Sequence, residues 1–354
     1  MIQDQSDYRR RQAWILLGDR LGDNNQLFAL AEALGMPYEA KRITYTWLGK
    51  IRFLRGERLV YVSREARRSL TPPWPDLVIG LGYASMPVAR SIRSRSGGRT
   101  KLVHLGNPRT ALSEVDLVLT TPQYSLGEAG NIVVLPLPIG NPAKSVTVTS
   151  EEREWLQQFP RPRLCVAVGG STRQWRIDIP ELERTIRYLQ DERARVGGSV
   201  IAVTSPRTQP EIVAALQAQL SNETDALVST FPRFATLLAE CDEFYVTADS
   251  VSMLAEAILT GKPVAMIPIS RSLRGRIGEW IQQNIWKFRS NSDLSQFWNY
   301  LVANKLVGEV DYPIASNVAD STGMAVRAVQ QMLHASSQDQ DLTENRSPVL
   351  PSQP

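Results

Sequence analysis

The fold class follows first from the stretch Thr247–Pro263, which reads TADSVSMLAEAILTGKP. It lies between two apolar runs, EFYV before it and VAMIP after it, and both are typical of buried strands. Asp249 or Ser250 can cap the start of a helix in this stretch, and Gly261 can end it. A strand, a capped helix and a second strand make a βαβ unit, so we expect a parallel sheet flanked by helices.

The same stretch carries candidate ligand groups. Past the carboxyl end of a parallel strand, the free N–H groups and the positive end of the next helix commonly face a nucleotide phosphate or ribose. Glu256 lies on the predicted helix, where its carboxylate can accept hydrogen bonds from both ribose hydroxyls. The alternative is a glutamate that is solvated on an exposed helix face.

Length and composition allow two domains of ordinary size. The chain has 354 residues, of which 43% are hydrophobic, and this is enough for two cores. No apolar run approaches the roughly 20 residues that cross a bilayer, and the start, MIQDQSDYRRRQ, has no apolar signal region. We therefore expect a cytoplasmic protein, at the inner face of the membrane if it contacts lipid.

Cysteine, histidine and charge usage argue against several kinds of site and partner. The two cysteines, Cys165 and Cys241, fall in or beside predicted strands, as small buried core residues do. Two histidines are too few for a His-rich zinc site. The net charge of +4 indicates only a mild attraction to anions, since Lys and Arg are spread along the chain. We expect no nucleic-acid partner.

The first half of the chain predicts a Rossmann-like domain over residues 12–140, because predicted strands alternate with short helices. The first strand leads into GDRLGDNNQ, which has neither the dinucleotide glycine spacing nor the Lys of a P-loop. Asp19 and Asp23 in this turn suit a hydroxyl better than an anion. We predict an acceptor site there, with Asp23, or alternatively Asp19, as the base. His104, at a strand end, is another candidate base, and packing is its alternative role.

Residues 47–58 combine apolar side chains with four cations, Lys50, Arg52, Arg55 and Arg58. Apolar rings flanked by cations can dock on an anionic membrane surface, so peripheral membrane contact is one interpretation. A helix with a basic solvent-facing side is the other.

The plan restarts in the second half, which predicts a second Rossmann-like domain over residues 163–335. Residues 141–162 contain several prolines and suit an interdomain linker. A strand then leads into GGSTRQW, and strands and helices alternate from there through the βαβ unit described above. Residues 336–354 are polar and contain prolines, so we expect a disordered tail.

Three loops that leave strand ends in the second half carry groups suited to phosphate. We expect open backbone N–H groups and hydroxyls there, with arginines that can pair with a diphosphate. The first loop has Gly169, Gly170, Ser171, Thr172 and Arg173, the second Ser205, Arg207 and Thr208, and the third Thr247, Asp249, Ser250 and Ser252. Each loop taken alone has an ordinary explanation as turn and cap chemistry. Their convergence on one sheet edge predicts a nucleotide diphosphate, and the missing G-x-G-x-x-G argues against NAD.

These features resemble the GT-B class of nucleotide-sugar glycosyltransferases, whose two Rossmann-like doubly wound domains face a cleft. The first turn is similar to the G-G-T-G-G-H of the peptidoglycan N-acetylglucosaminyltransferase. Gly18 and Gly22 match its glycines, and Asp23 stands where that enzyme has its candidate histidine base. Glu256 stands five residues before Gly261-Lys262-Pro263, as the ribose-binding glutamate of that enzyme stands before Gly-x-Pro.

A second resemblance covers most of residues 13–334. The segments GDRLGDNNQLFALAEALG, HLGNPR, VAVGGSTRQW, VTSPRT and FYVTADSVSMLAEAILTGKPV resemble blocks of the mitochondrial fission family named after the plant "elongated mitochondria" protein. Where that family has Pro-x-His-Asp, this chain has Pro122-Gln123-Tyr124-Ser125. The resemblance implies either a glycosyltransferase, as bacterial relatives are described, or a recruiter of fission machinery, as the plant proteins are.

Together these observations predict a metal-independent glycosyltransferase. It would move a sugar from a nucleotide-diphosphate sugar to a hydroxyl acceptor, with a lipid-linked acceptor in envelope glycan synthesis as one option. Arg173, Arg207 and helix N-termini would neutralise the leaving diphosphate, and no further cofactor is expected. The alternative is a non-catalytic nucleotide-sugar binder or a membrane-peripheral scaffold.

Overall fold

A computed structural model describes most of the chain and divides it into two compact units. Residues described are 11–46, 59–124, 126–127, 129–140, 147–172, 174–220, 223–272 and 294–344, with side chains up to residue 335. Unit 1 comprises Met1–Leu135 together with Asp320–Pro354, and unit 2 comprises Pro136–Ala319. The candidate membrane segment, residues 47–58, lies outside the described residues.

Unit 1 is built on a six-stranded parallel sheet in the order β2-β1-β3-β4-β5-β6. Its elements, in chain order, are β1 (Ala13–Leu17), α1 (Leu21–Leu34), β2 (Tyr38–Arg42), α2 (Arg64–Ser69), β3 (Leu77–Leu81), α3 (Met86–Arg95), β4 (Lys101–Leu105), β5 (Leu117–Thr120) and β6 (Ile132–Val134). The inner strands β1, β3 and β5 are buried almost throughout and nearly all apolar. Such runs form where helices cover both faces of a parallel sheet.

Unit 2 repeats this plan with a sheet in the order β10-β9-β7-β11-β12-β14. Its elements are α4 (Ser150–Gln157), β7 (Arg163–Val168), β8 (Trp175–Arg176), α5 (Ile179–Val196), β9 (Ser199–Thr204), α6 (Pro210–Gln219), β10 (Ala226–Val228), α7 (Phe234–Glu240), β11 (Glu243–Thr247), α8 (Val251–Ile258), β12 (Pro263–Ile267), β13 (Ser270–Arg271), α9 (Leu294–Ala303) and β14 (Ile314–Ala315). Only the short edge strand β14 joins this sheet antiparallel, whereas β8 and β13 form a separate two-stranded ladder. The predicted α/β class with two Rossmann-like units is confirmed.

Both faces of the unit 2 sheet are covered by helices. Along β7, Cys165 and Ala167 pack in a buried apolar cluster with α7, α8 and α9, whereas Val166 and Val168 pack in another with α5 and α6. Because successive strand residues point to opposite faces and helices cover both faces, every position of β7 from Leu164 to Val168 is apolar. Cys165 and Cys241 are both free and buried, as predicted.

The last helix, α10 (Ser321–Glu344), corrects two expectations. It contacts α1 and β5, and its fully buried residues Ala325, Val329 and Leu333 recur every four positions. The second predicted domain therefore ends at residue 319 rather than 335, since this apolar face packs in unit 1. The predicted disordered tail is also wrong for residues 336–344, which continue the helix, and residues 345–354 lie outside the described part.

The described part of the predicted linker, residues 147–162, packs in unit 2. Helix α4 begins with a capping box in which Thr149 and Glu152 bond reciprocally to backbone N–H groups. Leu156 and Phe159 are buried in the same apolar cluster as β7. Arg233, at the start of α7, pairs with the buried carboxylate of Glu152 at 2.6 Å, and this pair binds α4 to the unit. None of the helices in the described ranges combines the length and apolar character needed to cross a bilayer.

Candidate functional site

The structure brings three unit 2 loops together at the carboxyl edge of the sheet. Strands β9, β7 and β11 are neighbours, so the loops that follow them emerge side by side. A side chain at Gly169 would overlap the carboxyl group of Asp249, and one at Gly170 would overlap the backbone of Arg207. Two consecutive glycines are therefore required by the close approach of the three loops.

Every backbone N–H from Gly169 to Thr172 is already hydrogen-bonded, so the expectation of open donors there is wrong. Gly169 donates to Thr247 Oγ1 at 2.9 Å, Gly170 to Asp249 Oδ2 at 2.8 Å, Ser171 to Gln209 Oε1 at 3.0 Å and Thr172 to the Trp175 carbonyl at 2.7 Å. Three of these acceptors are side chains of the two neighbouring loops. These side chains therefore accept the backbone N–H groups that would otherwise donate hydrogen bonds to a phosphate.

The loop after β9 supports the turn interpretation of Ser205 and Thr208. Thr208 Oγ1 accepts the N–H of Ser205 at 2.9 Å and donates to the carbonyl oxygens of Val168 and Gly169. Arg207 differs, because its side chain is exposed and its guanidinium forms no hydrogen bond or ion pair with another described residue. Arg207 is therefore the group on this loop whose charge can pair with an anion.

Asp249 holds the loop packing together. Its carboxyl group is buried and accepts hydrogen bonds from Gly170 and from the Thr247 hydroxyl, the latter at 2.7 Å. Burial raises the pKa of Asp249, while these hydrogen bonds and the charge of Arg207 act in the opposite direction. Asp249 and Thr247 are thus engaged in structure rather than available to a ligand.

The start of α8 supplies the open donors of this site. Ser250 is the cap, since its hydroxyl accepts the Met253 N–H at 3.4 Å. The N–H groups of Val251 and Ser252 occupy the first two helical positions and have no acceptor among the described residues. An anion at this edge of the sheet would therefore meet α8 rather than the glycine loop.

Glu256 lies on α8 one turn after Ser252, on the same helix face. Its side chain is partly buried and forms no hydrogen bond or ion pair within the described chain. Desolvation alone raises the pKa of Glu256 from its ordinary value of 4.5 to about 7. The solvated alternative does not fit this burial. A carboxyl group that is desolvated without a partner is a strong candidate for ligand contact.

An aromatic group stands beside this site that the sequence analysis missed. Trp298 of α9 donates its indole N–H to the carbonyl of Ala248 at 2.8 Å, and its ring centroid lies 4.6 Å from that of Trp175. The Arg271 guanidinium lies 4.5 Å from the Trp175 ring centroid. These contacts bind α9, β8 and β13 to the loop after β11. No local pattern signals them, because the residues are far apart in sequence.

Two further expectations concern Arg173 and a metal ion. Arg173, expected to pair with a diphosphate, lies outside the described residues. Within the described ranges, no three His, Cys, Asp or Glu side chains are grouped as a metal site requires.

In unit 1, the turn after β1 is closed by Asn24, which the sequence analysis also missed. Its Oδ1 accepts the Gly18 N–H and its Nδ2 donates to the Gly18 carbonyl, both at 3.0 Å. An amide paired in both directions with one backbone residue fixes the turn that carries the two aspartates. Asp19 is exposed, whereas Asp23 is partly buried in the first turn of α1.

Tyr124, after β5, shares this edge with Asp23. Burial raises the pKa of Tyr124, and the charge of Asp23 raises it further. The Tyr124 ring packs on Gly106, where an added Cβ would lie 3.2 Å from the ring and φ is +79°. Only glycine is free of strain there. In place of the expected Pro-x-His-Asp, the chain thus has a phenol whose hydroxyl has no partner among the described residues.

His104 fits the packing role rather than that of a base. It is fully buried, and its Nε2 lies 3.3 Å from the Gly82 carbonyl oxygen. Burial lowers the pKa of His104 to about 4, although the carbonyl groups of Gly82 and Gly106 oppose this shift. A buried imidazole that disfavours its charged form is a poor proton acceptor.

Comparisons with known proteins agree with this architecture. The family model described as "Mitochondrial fission ELM1" matches residues 21–284. "Mitochondrial fission protein ELM1" of Arabidopsis thaliana is 23% identical over 267 residues, 66% of this chain, and the match spans only 62% of that protein's length. The structure of UDP-GlcNAc 2-epimerase from Methanocaldococcus jannaschii is similar with a TM-score of 0.52 at 12% identity, covering 91% of this chain and 99% of that chain. At such low identity the likeness shows the fold alone, which is GT-B-like.

Proposed function

This chain belongs to the mitochondrial fission ELM1 family, and within that family we propose that it binds a nucleotide-diphosphate sugar through unit 2 and transfers the sugar to a hydroxyl acceptor. Glu256 carries the proposal. Its desolvated and unpartnered carboxyl group stands on the helix that follows the central strand β11, where ribose hydroxyls would supply the missing hydrogen-bond donors.

The diphosphate would bind at the start of α8 and at Arg207. The open N–H groups of Val251 and Ser252 and the helix dipole favour an anion there. Arg207 acts on the pKa of Asp249, so its charge lies close to the same loop. These groups need no rearrangement, whereas Gly169 and Gly170 would first have to release Thr247 and Asp249.

The fold supports this ligand class. The M. jannaschii protein of the same fold is described as acting on UDP-GlcNAc. We draw from it the class of ligand, a nucleotide sugar, and not the epimerase reaction.

The chemistry would be a direct displacement at the sugar. The bond between the anomeric carbon and the diphosphate oxygen breaks, the acceptor oxygen bonds to that carbon, and Asp23 takes the acceptor proton. Arg207 and the α8 dipole stabilise the negative charge on the leaving diphosphate without calling on a metal ion.

The direct test is ligand binding by the full chain in EDTA. We expect one nucleotide-diphosphate sugar, from a panel of UDP-, GDP- and dTDP-sugars, to raise the free energy of unfolding by about 2.7 kcal/mol at 100 times its Kd. Glu256→Ala should weaken that ligand by about tenfold, the loss expected of hydrogen bonds to a charged group. Glu154→Ala, which removes an exposed glutamate of α4, is the matched control. No stabilisation by any member of the panel would refute the proposal.

The alternative role is a non-catalytic binder or a scaffold at a membrane. It is favoured by the relative named as a mitochondrial fission protein. Asp23→Asn separates the two roles. If the chain is a transferase, this variant keeps nucleotide-sugar binding and loses sugar transfer and donor hydrolysis, whereas a binder shows neither reaction even as wild type. As a scaffold, the chain would use residues 47–58 for contact with anionic lipid.

A further inference from the structure

A second candidate site lies on unit 1, apart from the groups assigned to the donor. We propose that Arg20 and Arg109 bind the phosphate headgroup of an amphiphile whose apolar chain lies against Leu21 and Tyr83. This assignment names the acceptor class and so rests on the proposed function.

Topology brings these residues to one edge. The neighbouring strands β1, β3, β4 and β5 are parallel, so the loops after them emerge together. Arg20 and Leu21 follow β1, Tyr83 follows β3 and Arg109 follows β4. Tyr124 follows β5, and its pKa responds to the charges of Asp23, Arg20 and Arg109. All three charged side chains are therefore near one phenol.

Arg109 is held in place at a cost in backbone strain. Its φ is +53°, in the left-handed region that non-glycine residues avoid. The Asn107 side chain stabilises this turn by accepting the Arg109 N–H at 2.8 Å. The guanidinium then lies 5.2 Å from the centroid of the Tyr83 ring. Strain of this kind often clusters at sites where it positions a functional side chain.

The two guanidinium groups are available for an anion. Both side chains are exposed, and neither forms a hydrogen bond or an ion pair with another residue in the described ranges. The nearby carboxylates are Asp19, in the turn after β1, and Asp23, in the first turn of α1. Asp23 is the proposed base for the acceptor hydroxyl, so a ligand here would present a phosphate to the arginines and a hydroxyl to Asp23.

Two large apolar side chains extend this charged surface. Leu21 is 76% exposed and Tyr83 is 44% exposed, and each adjoins one of the arginines. Large apolar side chains exposed next to paired cations suit a ligand with an anionic head and an apolar chain. A free phosphate would leave Leu21 in water, and a neutral glycolipid would leave both charges unused.

Binding of octyl phosphate to the full chain, below its micelle concentration and without nucleotide, tests this assignment. We expect octyl phosphate to bind at least about tenfold more tightly than inorganic phosphate or octyl glucoside, since only it engages both the cations and the apolar side chains. Arg20→Gln and Arg109→Gln should each weaken it by about tenfold. Arg67→Gln, which removes an exposed arginine of α2, should not.

The Arg109→Gly variant tests whether weaker binding of octyl phosphate could result from loss of folding. Glycine accepts a φ of +53° without strain, so this variant should melt at the same or a higher temperature while binding octyl phosphate about tenfold more weakly. Equal binding of octyl phosphate and octyl glucoside, or octyl phosphate binding that survives both arginine substitutions, would overturn the assignment. Donor binding is measured separately with Glu256→Ala, so failure of one site is distinguishable from failure of the other.

Discussion

At Glu256 a carboxyl group is partly buried on α8 without a partner in the described chain, and this has a consequence for stability. The folded-state pKa, about 7, is above the ordinary value of 4.5. The folded state therefore holds more protons than the unfolded state between these values, and this contribution to stability falls as pH rises from about 4.5 to about 7. The loss above pH 7 amounts to roughly 3 kcal/mol.

We expect Glu256→Gln to raise the free energy of unfolding of the ligand-free protein at pH 8 and to change it little at pH 4.5. Urea unfolding at the two pH values measures this difference. Glu154→Gln, on the exposed side of α4, should have no effect at either pH. Equal effects of Glu256→Gln at both pH values would show that the carboxyl group is not desolvated in solution.

At the scale of elements, the glycine loop after β7 has no room for a side chain at position 170, because the loop after β9 lies against it. A Cβ at Gly170 would overlap the carbonyl of Arg207, which is backbone and cannot swing away. We expect Gly170→Ala to lower the free energy of unfolding by about 1–3 kcal/mol, as overpacking does. It should also weaken nucleotide-sugar binding, because Arg207 must move.

Gly18→Ala is the matched control for this prediction. A Cβ at Gly18 would meet no atom within 4 Å, although Gly18 also begins a turn after the first strand of its unit. Its effect on unfolding, measured by chemical denaturation, should stay below about 0.5 kcal/mol. If the two alanine variants behave alike, the loop after β7 is not closely packed.

Strands and helix caps were predicted from the sequence more accurately than the hydrogen bonds between loops that are distant in the chain. The runs EFYV and VAMIP were predicted as strands and form β11 and β12, and Ser250, one of the two predicted cap residues, is the cap, because apolar runs and capping residues act locally. The donors of Gly169 and Gly170 were misjudged because their acceptors, Thr247 and Asp249, lie almost 80 residues away. Local sequence shows which groups a loop carries, but not which neighbouring loop satisfies them.

The candidate site was also predicted only in part. Glu256 was identified from its place on the predicted helix after the strand EFYV, and the structure adds that it is desolvated. Asn24, Trp298 and Arg109 were missed. The signal for Asn24 is weak, a polar residue six positions after a glycine turn, and the left-handed conformation of Arg109 has no signal in its residue type.

At the scale of the whole molecule, unit 1 is discontinuous in sequence and α10 completes it. Leu333 is fully buried on the face that contacts α1 and β5. We expect Leu333→Ala to cost about 2–5 kcal/mol, as the loss of a buried leucine does. Hydrogen–deuterium exchange should become faster in α1 and β5 while β7 and β11 keep their protection.

Val302→Ala on α9 is the control, since that valine is 57% exposed. It should leave exchange unchanged throughout the chain. If β7 and β11 also exchange faster in the Leu333→Ala variant, the assignment of α10 to unit 1 is wrong.

Because α10 follows unit 2 in the sequence, it is synthesised long after the helix and strand that it packs against. The face of α1 that α10 covers leaves the ribosome early, yet its covering helix follows only after residues 136–319 have been made. At about 5–20 residues per second, translation of that stretch takes roughly 10–40 s. During this time the nascent first unit exposes an apolar face, which makes it a target for chaperones, whereas the second unit has its whole core as soon as residue 319 has been made.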